Sequence, residues 1–506
     1  MIAPALSGFR RMSRLFRPRF EPSPVAFAAA LALLACDPGG RNPYEQVGPP
    51  SNTAGGTGGT GTSTSGGSNS GGASGGTVSA GGTAGSGDSG GSAGIAGSAG
   101  TAASGAAGDA GSAGSGGSAK EDAFELLGAP LAFAPTAQGF GISVVLKQGD
   151  PEKLLVRIRA EGEQDYGEPK TPMVLASDLA EFHFDGLDAG TRYEYQVVVA
   201  ATDAEEAGEE LLYEGSVVTQ RPPGASYSIA LISDPHIGAN LAYHNQGDET
   251  ILRAVGAEIA AMSPDFVLNL GDMLDFHEYG FNSPPPDGSV TRLAYLNYRW
   301  GLGDALRNSA HFTTIGNWDG ENGDFPAEAI AWSREQRLLY VPGPKPTTYP
   351  EGGNAWEDYY AFTWGDALFV VLNVMTYTPT PHLLSFNPGV PDDWTLGQEQ
   401  LEWLERTLKN ATSKWRFLVI HHAVGGKAGD EINGAYGRGG GQAANVGEQA
   451  IVHRLMLDHG VQIFFYGHDH VFTDMVVDGI HYTEPGSAGA IWMFSGLETG
   501  YTQYWA

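Results

Sequence analysis

The apolar positions of the chain follow two different periods, and the change between them lies near residue 223. From about 124 to 223, apolar and polar residues alternate, as in GFGISVVLK and TRYEYQVVVAA. Alternation with period two predicts short strands that each bury one face, and the Gly, Asp and Pro turns between them are typical of an antiparallel β-sandwich. We therefore expect a small all-β domain over residues 124–223.

Beyond Arg221-Pro222-Pro223, apolar runs alternate with patterns of helical period. The apolar runs are YSIALIS, DFVLNL, FTTIG, WRFLVIH and QIFFYG, and the helical segments are TILRAVGAEIAAM, TLGQEQLEWLERTLKNA and NVGEQAIVHRLMLDHG. In the second helical segment Thr395 is the expected N-cap, and Leu401, Leu404 and Leu408 share one face. Strands that alternate with helices predict an α/β domain over 225–506, in which helices cover the sheets.

Each of the five apolar runs ends in residues that can bind a metal ion. The runs are followed by Asp234-Pro235-His236, by Gly271-Asp272 with Asp275, by Asn317, by His421-His422, and by His468-Asp469-His470. One such group alone is explained by a turn, but burying all of them together is costly without a cation. Carboxylate and amide oxygens mixed with imidazoles suit Mn, Fe or Zn. Seven candidate ligands exceed the needs of one tetrahedral ion and suit two ions that share a carboxylate.

Composition separates these domains from the start of the chain. The 506 residues include 74 glycines, and residues 51–119 consist almost only of Gly, Ala, Ser and Thr. Such a segment has too little apolar surface to fold, so we expect a flexible tether over 37–119. The net charge of −30 argues against a protein that coats nucleic acid. A metal centre would let this acidic chain hold an anionic substrate.

The only cysteine, Cys36, follows a basic segment and a short apolar run, VAFAAALALLAC. This arrangement predicts a signal peptide over 1–36, because the run is too short for a membrane span. The end of the run, Leu33-Leu34-Ala35-Cys36, resembles the lipobox of bacterial lipoproteins, in which the cysteine receives the lipid. The alternative is an ordinary signal peptide with an incidental cysteine. We expect a secreted protein that is lipid-anchored in the bacterial cell envelope, at the outer membrane, in the periplasm or on the surface.

Taken in order over residues 234–470, the blocks DPH, GDMLD, GNWD, IHH and GHDH resemble the five signature blocks of the calcineurin-like metallophosphoesterases. The preceding β domain and the segment GHDHVFTDMVVDGIHYTEPGSAG are similar to purple acid phosphatases and their bacterial relatives. Within that domain, FHFDGLDAGTRYEYQVVVA resembles part of a fibronectin type III-like module. The resemblance implies a four-layer αββα domain behind a fibronectin III-like sandwich.

The resemblance also implies a role for each candidate ligand. Asp234, His236 and His470 would hold one metal ion. Asn317, His421 and His468 would hold a second ion, and Asp272 would bridge the two. In this family a hydroxide that bridges the ions attacks the phosphorus of a phosphate ester.

Two positions depart from the pattern of the family. Asp275 stands where purple acid phosphatases have a tyrosine ligand, which puts a strict Fe(III) site in doubt. Trp318 stands where most relatives have a histidine that assists the leaving group, and an indole cannot shuttle that proton. Trp318 could instead donate a hydrogen bond to a phosphoryl oxygen, stack on a base or sugar, or simply pack. His422 and His277 are alternative acids, although both also fit supporting or surface positions.

The expected function is therefore metal-dependent hydrolysis of phosphate esters outside the cytoplasm, as a phosphomonoesterase or a phosphodiesterase. One alternative is a surface lipoprotein that uses the same fold to bind a ligand without turnover. Another is an adhesin in which the β-sandwich is the active part. No segment predicts a protein partner, and the end of the chain, GLETGYTQYWA, leaves room for a further C-terminal strand.

Overall fold

The computed structural model describes residues 123–199, 209–239, 247–276, 288–323, 325–378, 395–422, 448–491 and 502–505. The predicted signal peptide with Cys36, the tether over 37–119 and His277 all lie outside these ranges. Within the same ranges, none of the helices is long and apolar enough to cross a membrane.

The first part of the described chain is built of strands, as the alternating pattern predicts. A short 3₁₀ turn at Pro151–Lys153 interrupts them. The strands are β1 (Glu125–Leu126), β2 (Leu131–Thr136), β3 (Gly139–Gln148), β4 (Leu154–Ala160), β5 (Met173–Ala176), β6 (Leu179–Asp185), β7 (Arg192–Val199) and β8 (Glu210–Val218).

After residue 223 the strands alternate with helices. A 3₁₀ turn at Gly303–Leu306 precedes the eleventh strand. The elements are β9 (Ile229–Ile232), α1 (Glu249–Met262), β10 (Phe266–Asn269), α2 (Gly288–Gly301), β11 (Ala310–Thr313), α3 (Ala327–Tyr340), β12 (Tyr360–Trp364), β13 (Ala367–Val371), α4 (Gln398–Asn410), β14 (Trp415–Val419), α5 (Glu448–Asp458), β15 (Ile463–Phe465), β16 (Phe472–Val477), β17 (Ile480–Pro485) and β18 (Thr502–Trp505).

The N-terminal strands lie in two sheets. One set has the order β5-β6-β3-β2, with β1 also on β3, and the other is a three-stranded sheet with the order β4-β7-β8. All pairings within both sets are antiparallel. Tyr193, Tyr195 and Val197 of β7 are buried on one face, as the period-two pattern predicts.

The first of these sheets does not end within the N-terminal strands. Strand β2 pairs in parallel with β11, where Ala132 faces Ala310 and Phe133 faces His311. Strands β11, β10 and β9 then continue the same sheet in parallel. One eight-stranded sheet therefore crosses residue 223, where the sequence pattern changes.

A second, seven-stranded sheet faces the first. Its order is β12-β13-β14-β15-β17-β16-β18, and its central pairs β13-β14-β15-β17 are parallel. Aromatic rings fill the space between the sheets: Phe266 of β10 lies 5.6 Å from Phe362 and 5.4 Å from Phe369, and Phe312 of β11 stacks on Phe362 at 4.2 Å. These distances join ring centroids.

Helices cover the outer face of each sheet. Residues of α1 and α2 share an apolar cluster with β9 and β10, and residues of α4 and α5 share another with β13, β14 and β15. The result is two mixed sheets between helical layers. The sheets bring the carboxyl ends of their parallel strands to the same edge, where loops carry the polar blocks.

Helix α4 differs from the prediction at its start. Leu404 and Leu408 are buried as expected, but the helix begins at Gln398 and its N-cap is Gly397, not Thr395. The Thr395 hydroxyl accepts a hydrogen bond from the Gly397 N–H (2.9 Å) and donates one to the Glu448 carboxylate (2.7 Å). Thr395 therefore links the starts of α4 and α5.

Candidate metal centre

The structure brings all seven predicted metal ligands to one buried site. Strands β9, β10 and β11 of the first sheet lead into the segments with Asp234 and His236, with Asp272 and with Asn317. Strands β14 and β15 of the second sheet lead into His421 and into His468 and His470. Each of the seven side chains is at most 4% exposed to solvent. The ligands are spread over residues 234–470 of the sequence, so their convergence is produced by the fold.

The backbone at this site is strained in a consistent way. Five of the seven residues have positive φ angles, with 55° at Asp234, 50° at His236, 51° at Asp272, 85° at His468 and 61° at His470. This region is uncommon for residues other than glycine, and its cost is tolerated only where the surroundings enforce it. Such strain clusters at functional sites.

Asp234, His236 and His470 form the first cluster of potential ligand atoms. The Nε2 atoms of His236 and His470 lie 3.0 Å apart, and His470 Nε2 lies 3.2 Å from Asp234 Oδ1. Burial alone would raise the pKa of Asp234, but His470 and His236 outweigh it and hold that pKa well below its usual range. Burial lowers the pKa of His236, which favours the neutral imidazole that a metal ion needs.

Asn317, His421 and His468 form the second cluster. The Asn317 Oδ1 atom lies 3.1 Å from His421 Nε2 and 2.9 Å from His468 Nδ1. His421 Nδ1 donates to the Leu270 carbonyl oxygen (2.8 Å), so Nε2 faces the cluster as the ligand atom. Burial would lower the pKa of His421, but the Asp272 carboxylate raises it to about 9, so a metal ion must displace a proton here.

Asp272 lies between the two clusters. Its Oδ2 atom is 3.0 Å from His421 Nε2 and 3.6 Å from His236 Nε2, while its Oδ1 atom accepts the backbone N–H of Trp318 at 2.7 Å. His421 Nε2 is thus within hydrogen-bonding distance of the buried Oδ2 atom, and the proton between them is the one that a metal ion would displace. A buried carboxylate among several buried imidazoles is costly, and cations would relieve that cost. The donor set therefore fits two metal ions that share Asp272.

The structure describes two of the three candidate proton donors, His422 and Trp318. The His422 ring is buried and lies 3.8 Å from the His468 ring, and a His422 nitrogen falls in one group of potential ligand atoms with His421 and His468. Trp318 is only 5% exposed and packs at 89° against the His236 ring, with centroids 4.7 Å apart. Contact with the ring of a predicted ligand favours the packing interpretation of Trp318. His277 lies outside the described residues.

Asp275 is buried at 3% exposure, three residues after the bridging position. Among the described residues it does not belong to the groups of side chains that could hold an ion.

Asp319 supports the site and was missed by the sequence reasoning. Its fully buried carboxylate accepts the backbone N–H groups of Asp272 (3.1 Å), Leu274 (2.9 Å) and Gly316 (2.8 Å). It therefore ties the loop of Asp272 to the loop of Asn317. Burial and the charge of Asp272 raise the pKa of Asp319 to about 8. In the sequence, Asp319 is the last residue of the GNWD block, and the pattern alone assigns this position to a turn.

Gly316 explains why β11 leads into a Gly-Asn pair. A Cβ atom at this position would lie 2.1 Å from Asp272 Oδ1 and 2.3 Å from the Asp272 backbone nitrogen. Glycine lets the two loops approach closely enough for Asn317 and Asp272 to enter the same site.

Comparisons with known proteins agree with this site. The model of the calcineurin-like phosphoesterase family matches residues 227–472, which contain all seven predicted ligands. This region is a calcineurin-like metallophosphoesterase domain, and the match supports a metal-dependent phosphoester hydrolase.

Solved structures add evidence about the fold. The chain is similar to the structure of PhoD, with a TM-score of 0.53 and 16% identity over 72% of this chain and 77% of that one. It also matches GAP50, the anchor in the inner membrane complex of Plasmodium (TM-score 0.33, 13% identity, 55% of this chain and 78% of that one). A human fibronectin type III domain matches with a TM-score of 0.14 and 18% identity, over 22% of this chain and 100% of that one. Of these three structures, only PhoD has a score that supports a shared fold. Comparison with curated protein sequences gives no match.

Proposed function

We propose that the chain hydrolyses phosphate esters at a dinuclear metal centre, outside the cytoplasm. The observation that carries this proposal is the position of Asp272, whose buried Oδ2 atom faces histidines of both ligand clusters. Two Fe, Mn or Zn ions at this place would supply a nucleophile derived from water and would neutralise the charge of the phosphoryl oxygens.

The protein's own groups fix the geometry. Asp234, His236 and His470 would hold one ion, Asn317, His421 and His468 would hold the other, and Asp272 would contribute to both. The Leu270 carbonyl orients His421, and Asp319 fixes the backbone of Asp272. Rigid supporting contacts of this kind keep ligands within the narrow tolerance that a metal centre requires.

Trp318 limits which esters would react fast. Its indole packs on His236, and no acidic proton is available at this position to assist the leaving group. General acid catalysis is worth roughly 10²–10⁴-fold, so its absence at position 318 slows esters with poor leaving groups most. We propose that activated phosphate esters are the better substrates.

We also propose an envelope location for the protein and a fibronectin III-like module in its N-terminal part. A lipid anchor at Cys36 and the tether over 37–119 would hold the enzyme at the cell envelope, where the membrane is its partner. The strand orders β5-β6-β3-β2 and β4-β7-β8 match the ABED and CFG sheets of immunoglobulin-like sandwiches, and this supports the sandwich architecture that fibronectin III-like modules share.

The experiment compares two model esters on one metal-loaded protein. The full chain is freed of metal, loaded separately with Mn²⁺, Zn²⁺ or Fe, and assayed for kcat/KM on p-nitrophenyl phosphate and on bis-p-nitrophenyl phosphate. Hydrolysis of either ester supports the proposal, and the preferred one assigns a monoesterase or a diesterase. The variant Asp272→Asn, which weakens the shared ligand, should lose at least about 10²-fold.

A binding protein without turnover is the second candidate, because Trp318 replaces a residue that assists chemistry in related enzymes. It predicts two bound metal ions and no hydrolysis of either ester. That result would overturn the proposed function.

A further inference from the structure

Strand β17 carries a glutamate on its buried face. The strand has the sequence IHYTEP, and its buried positions are Ile480, Tyr482 and Glu484. Glu484 is 0% exposed. A carboxylate in a row of buried apolar side chains is costly unless it has specific partners. The hydrogen bonds of Glu484 are therefore informative.

The partners of Glu484 are backbone N–H groups of the loop that carries His468 and His470. Its Oε1 atom accepts the N–H of Asp469 at 2.9 Å, and the N–H of His470 also hydrogen-bonds to this carboxylate. The preceding N–H, that of His468, is bound by the Asp234 carboxylate at 3.0 Å. Two buried carboxyl groups, those of Asp234 and Glu484, thus accept hydrogen bonds from three consecutive N–H groups of this loop.

The shape of the loop explains why a hydrogen-bond acceptor such as the Glu484 carboxyl group fits there. His468 and His470 both have positive φ angles, 85° and 61°, with Asp469 between them. Successive N–H groups in a backbone that changes between left- and right-handed conformations form a concave site for an anion, called a nest. Here the occupant is a side chain of the same protein, and both flanking histidines belong to the metal centre.

We propose that Glu484 is a positioning residue of the metal centre, whose carboxylate accepts the N–H groups of Asp469 and His470 and holds His468 and His470 in ligand geometry. This inference rests on the proposed function only in naming the two histidines as ligands. It assigns Glu484 no contact with substrate.

Through one short loop, the contact of Glu484 would affect both predicted ion sites. His470 lies with Asp234 and His236 in one cluster, and His468 lies with Asn317 in the other. If the loop relaxes toward ordinary φ angles, both imidazoles turn away from their partners. Loss of such supporting contacts typically weakens metal binding by about 10–100-fold.

The test measures metal affinity, because a change in affinity does not depend on turnover. The metal-free full chain is titrated with Zn²⁺ against a chelator of known affinity, for the native chain, Glu484→Asp and Glu484→Gln. Aspartate is one methylene shorter and cannot reach both N–H groups, so Zn²⁺ affinity should fall about 10–100-fold. Glutamine keeps an acceptor oxygen at the same reach and should bind Zn²⁺ within about threefold of the native chain.

The matched control is Glu181, another buried strand glutamate, whose carboxylate contacts His183 in β6. Glu181→Asp should leave Zn²⁺ affinity unchanged. The proposal is overturned if Glu484→Asp binds Zn²⁺ as the native chain does, or if Glu484→Gln is as weak as Glu484→Asp. Should Glu484→Asp fail to fold, the Glu484→Gln titration still decides, because a loss beyond threefold contradicts the proposal.

The Zn²⁺ titration can fail or succeed independently of the test for ester hydrolysis. A native chain that binds Zn²⁺ tightly but hydrolyses no ester would contradict the proposed function. The affinity comparison between the Glu484 variants would remain valid in that case.

Discussion

Trp318 shows how one side chain can keep a structural role while a chemical role is absent. Its backbone N–H donates to Asp272 Oδ1, and its ring packs at right angles against the His236 imidazole. The first contact directs Asp272 Oδ2 toward the histidines, and the second limits rotation of a predicted ligand. Neither contact requires a proton to move.

This account predicts that an aromatic ring, and not an indole N–H, is needed at position 318. Trp318→Phe should keep kcat/KM for p-nitrophenyl phosphate within about fivefold, because a phenyl ring can still pack on His236. Trp318→Ala should lose at least about tenfold, because it leaves a cavity beside the ligand.

Steady-state assays on both variants, each with its metal content measured, provide the test. Equal losses in the phenylalanine and alanine variants would mean that the indole N–H takes part in the reaction.

At the scale of secondary-structure elements, the sequence was informative wherever periodicity and strand ends coincide. The run DFVLNL predicts a buried strand, and a polar block after it must lie at the strand's carboxyl end, so Asp272 could be placed with its partners. Asp319 and Glu484 could not be found in this way, because their roles depend on N–H groups supplied by other loops. The N-cap of α4 was also misplaced, since Thr395 hydrogen-bonds to Glu448 of α5 instead.

The sequence pattern also could not predict that β2 pairs with β11. Alternation in LAFAPT predicts a strand, but it contains no information about which edge that strand meets. The pairing of Ala132 with Ala310 connects residues that lie far apart in sequence. Only tertiary packing selects it.

Strand β11 also carries a histidine that should make the protein sensitive to acid. His311 is 1% exposed and hydrogen-bonds to the Tyr298 hydroxyl at 3.0 Å. Burial, with a smaller contribution from the Arg299 charge, lowers the pKa of His311 to about 3. In the unfolded chain the ordinary pKa is about 6.5.

The direction of the pH effect on stability follows from the folded and unfolded pKa values of His311. Between about pH 6.5 and 3 the unfolded chain binds a proton at His311 and the folded chain does not, so acid favours unfolding. The free energy of unfolding should fall by up to about 1.4 kcal/mol per pH unit in this window from His311 alone, and not at all above it.

Urea unfolding of the metal-free chain at several pH values from 7 to 4 tests this against His311→Gln, which cannot be protonated. The variant should show the smaller loss of stability on acidification. Parallel curves for the two proteins would contradict the assignment.

At the scale of the whole molecule, the shared sheet makes the N-terminal strands part of the catalytic fold. The Arg299 guanidinium on α2 donates to the Ser143 hydroxyl (3.1 Å) and carbonyl (2.9 Å) of β3 and is 2% exposed. Removing β1–β8 would take away the Ser143 partners of this charge, leaving the Tyr340 carbonyl oxygen (2.9 Å), and would expose the edge of β11. Exposed edges and unpaired buried charges are both destabilising.

We therefore expect a chain that begins at residue 225 to aggregate, or to melt at least about 10 °C below the full chain, since ΔΔG of a few kcal/mol has this effect. A chain that begins at residue 120, which removes only the predicted signal peptide and tether, is the matched control and should melt with the full chain. Thermal unfolding followed by circular dichroism distinguishes them. Equal melting temperatures for all three would show that the catalytic part folds independently.

The chain has a net charge of −30 and as a whole repels a phosphate ester, so anion binding needs a local positive charge. The buried ligands include two carboxylates, Asp234 and Asp272, so two divalent cations would leave the site locally positive. Anion binding by an acidic protein then depends on the ions and not on surface lysines or arginines.

The most direct measurement is a titration of the metal-free full chain with Mn²⁺ or Zn²⁺, in which bound metal and phosphoester hydrolysis are followed in the same samples. The account predicts that hydrolysis is absent without metal and rises until two equivalents are bound per chain. Two bound equivalents without hydrolysis, or hydrolysis that persists in the metal-free chain, would contradict it.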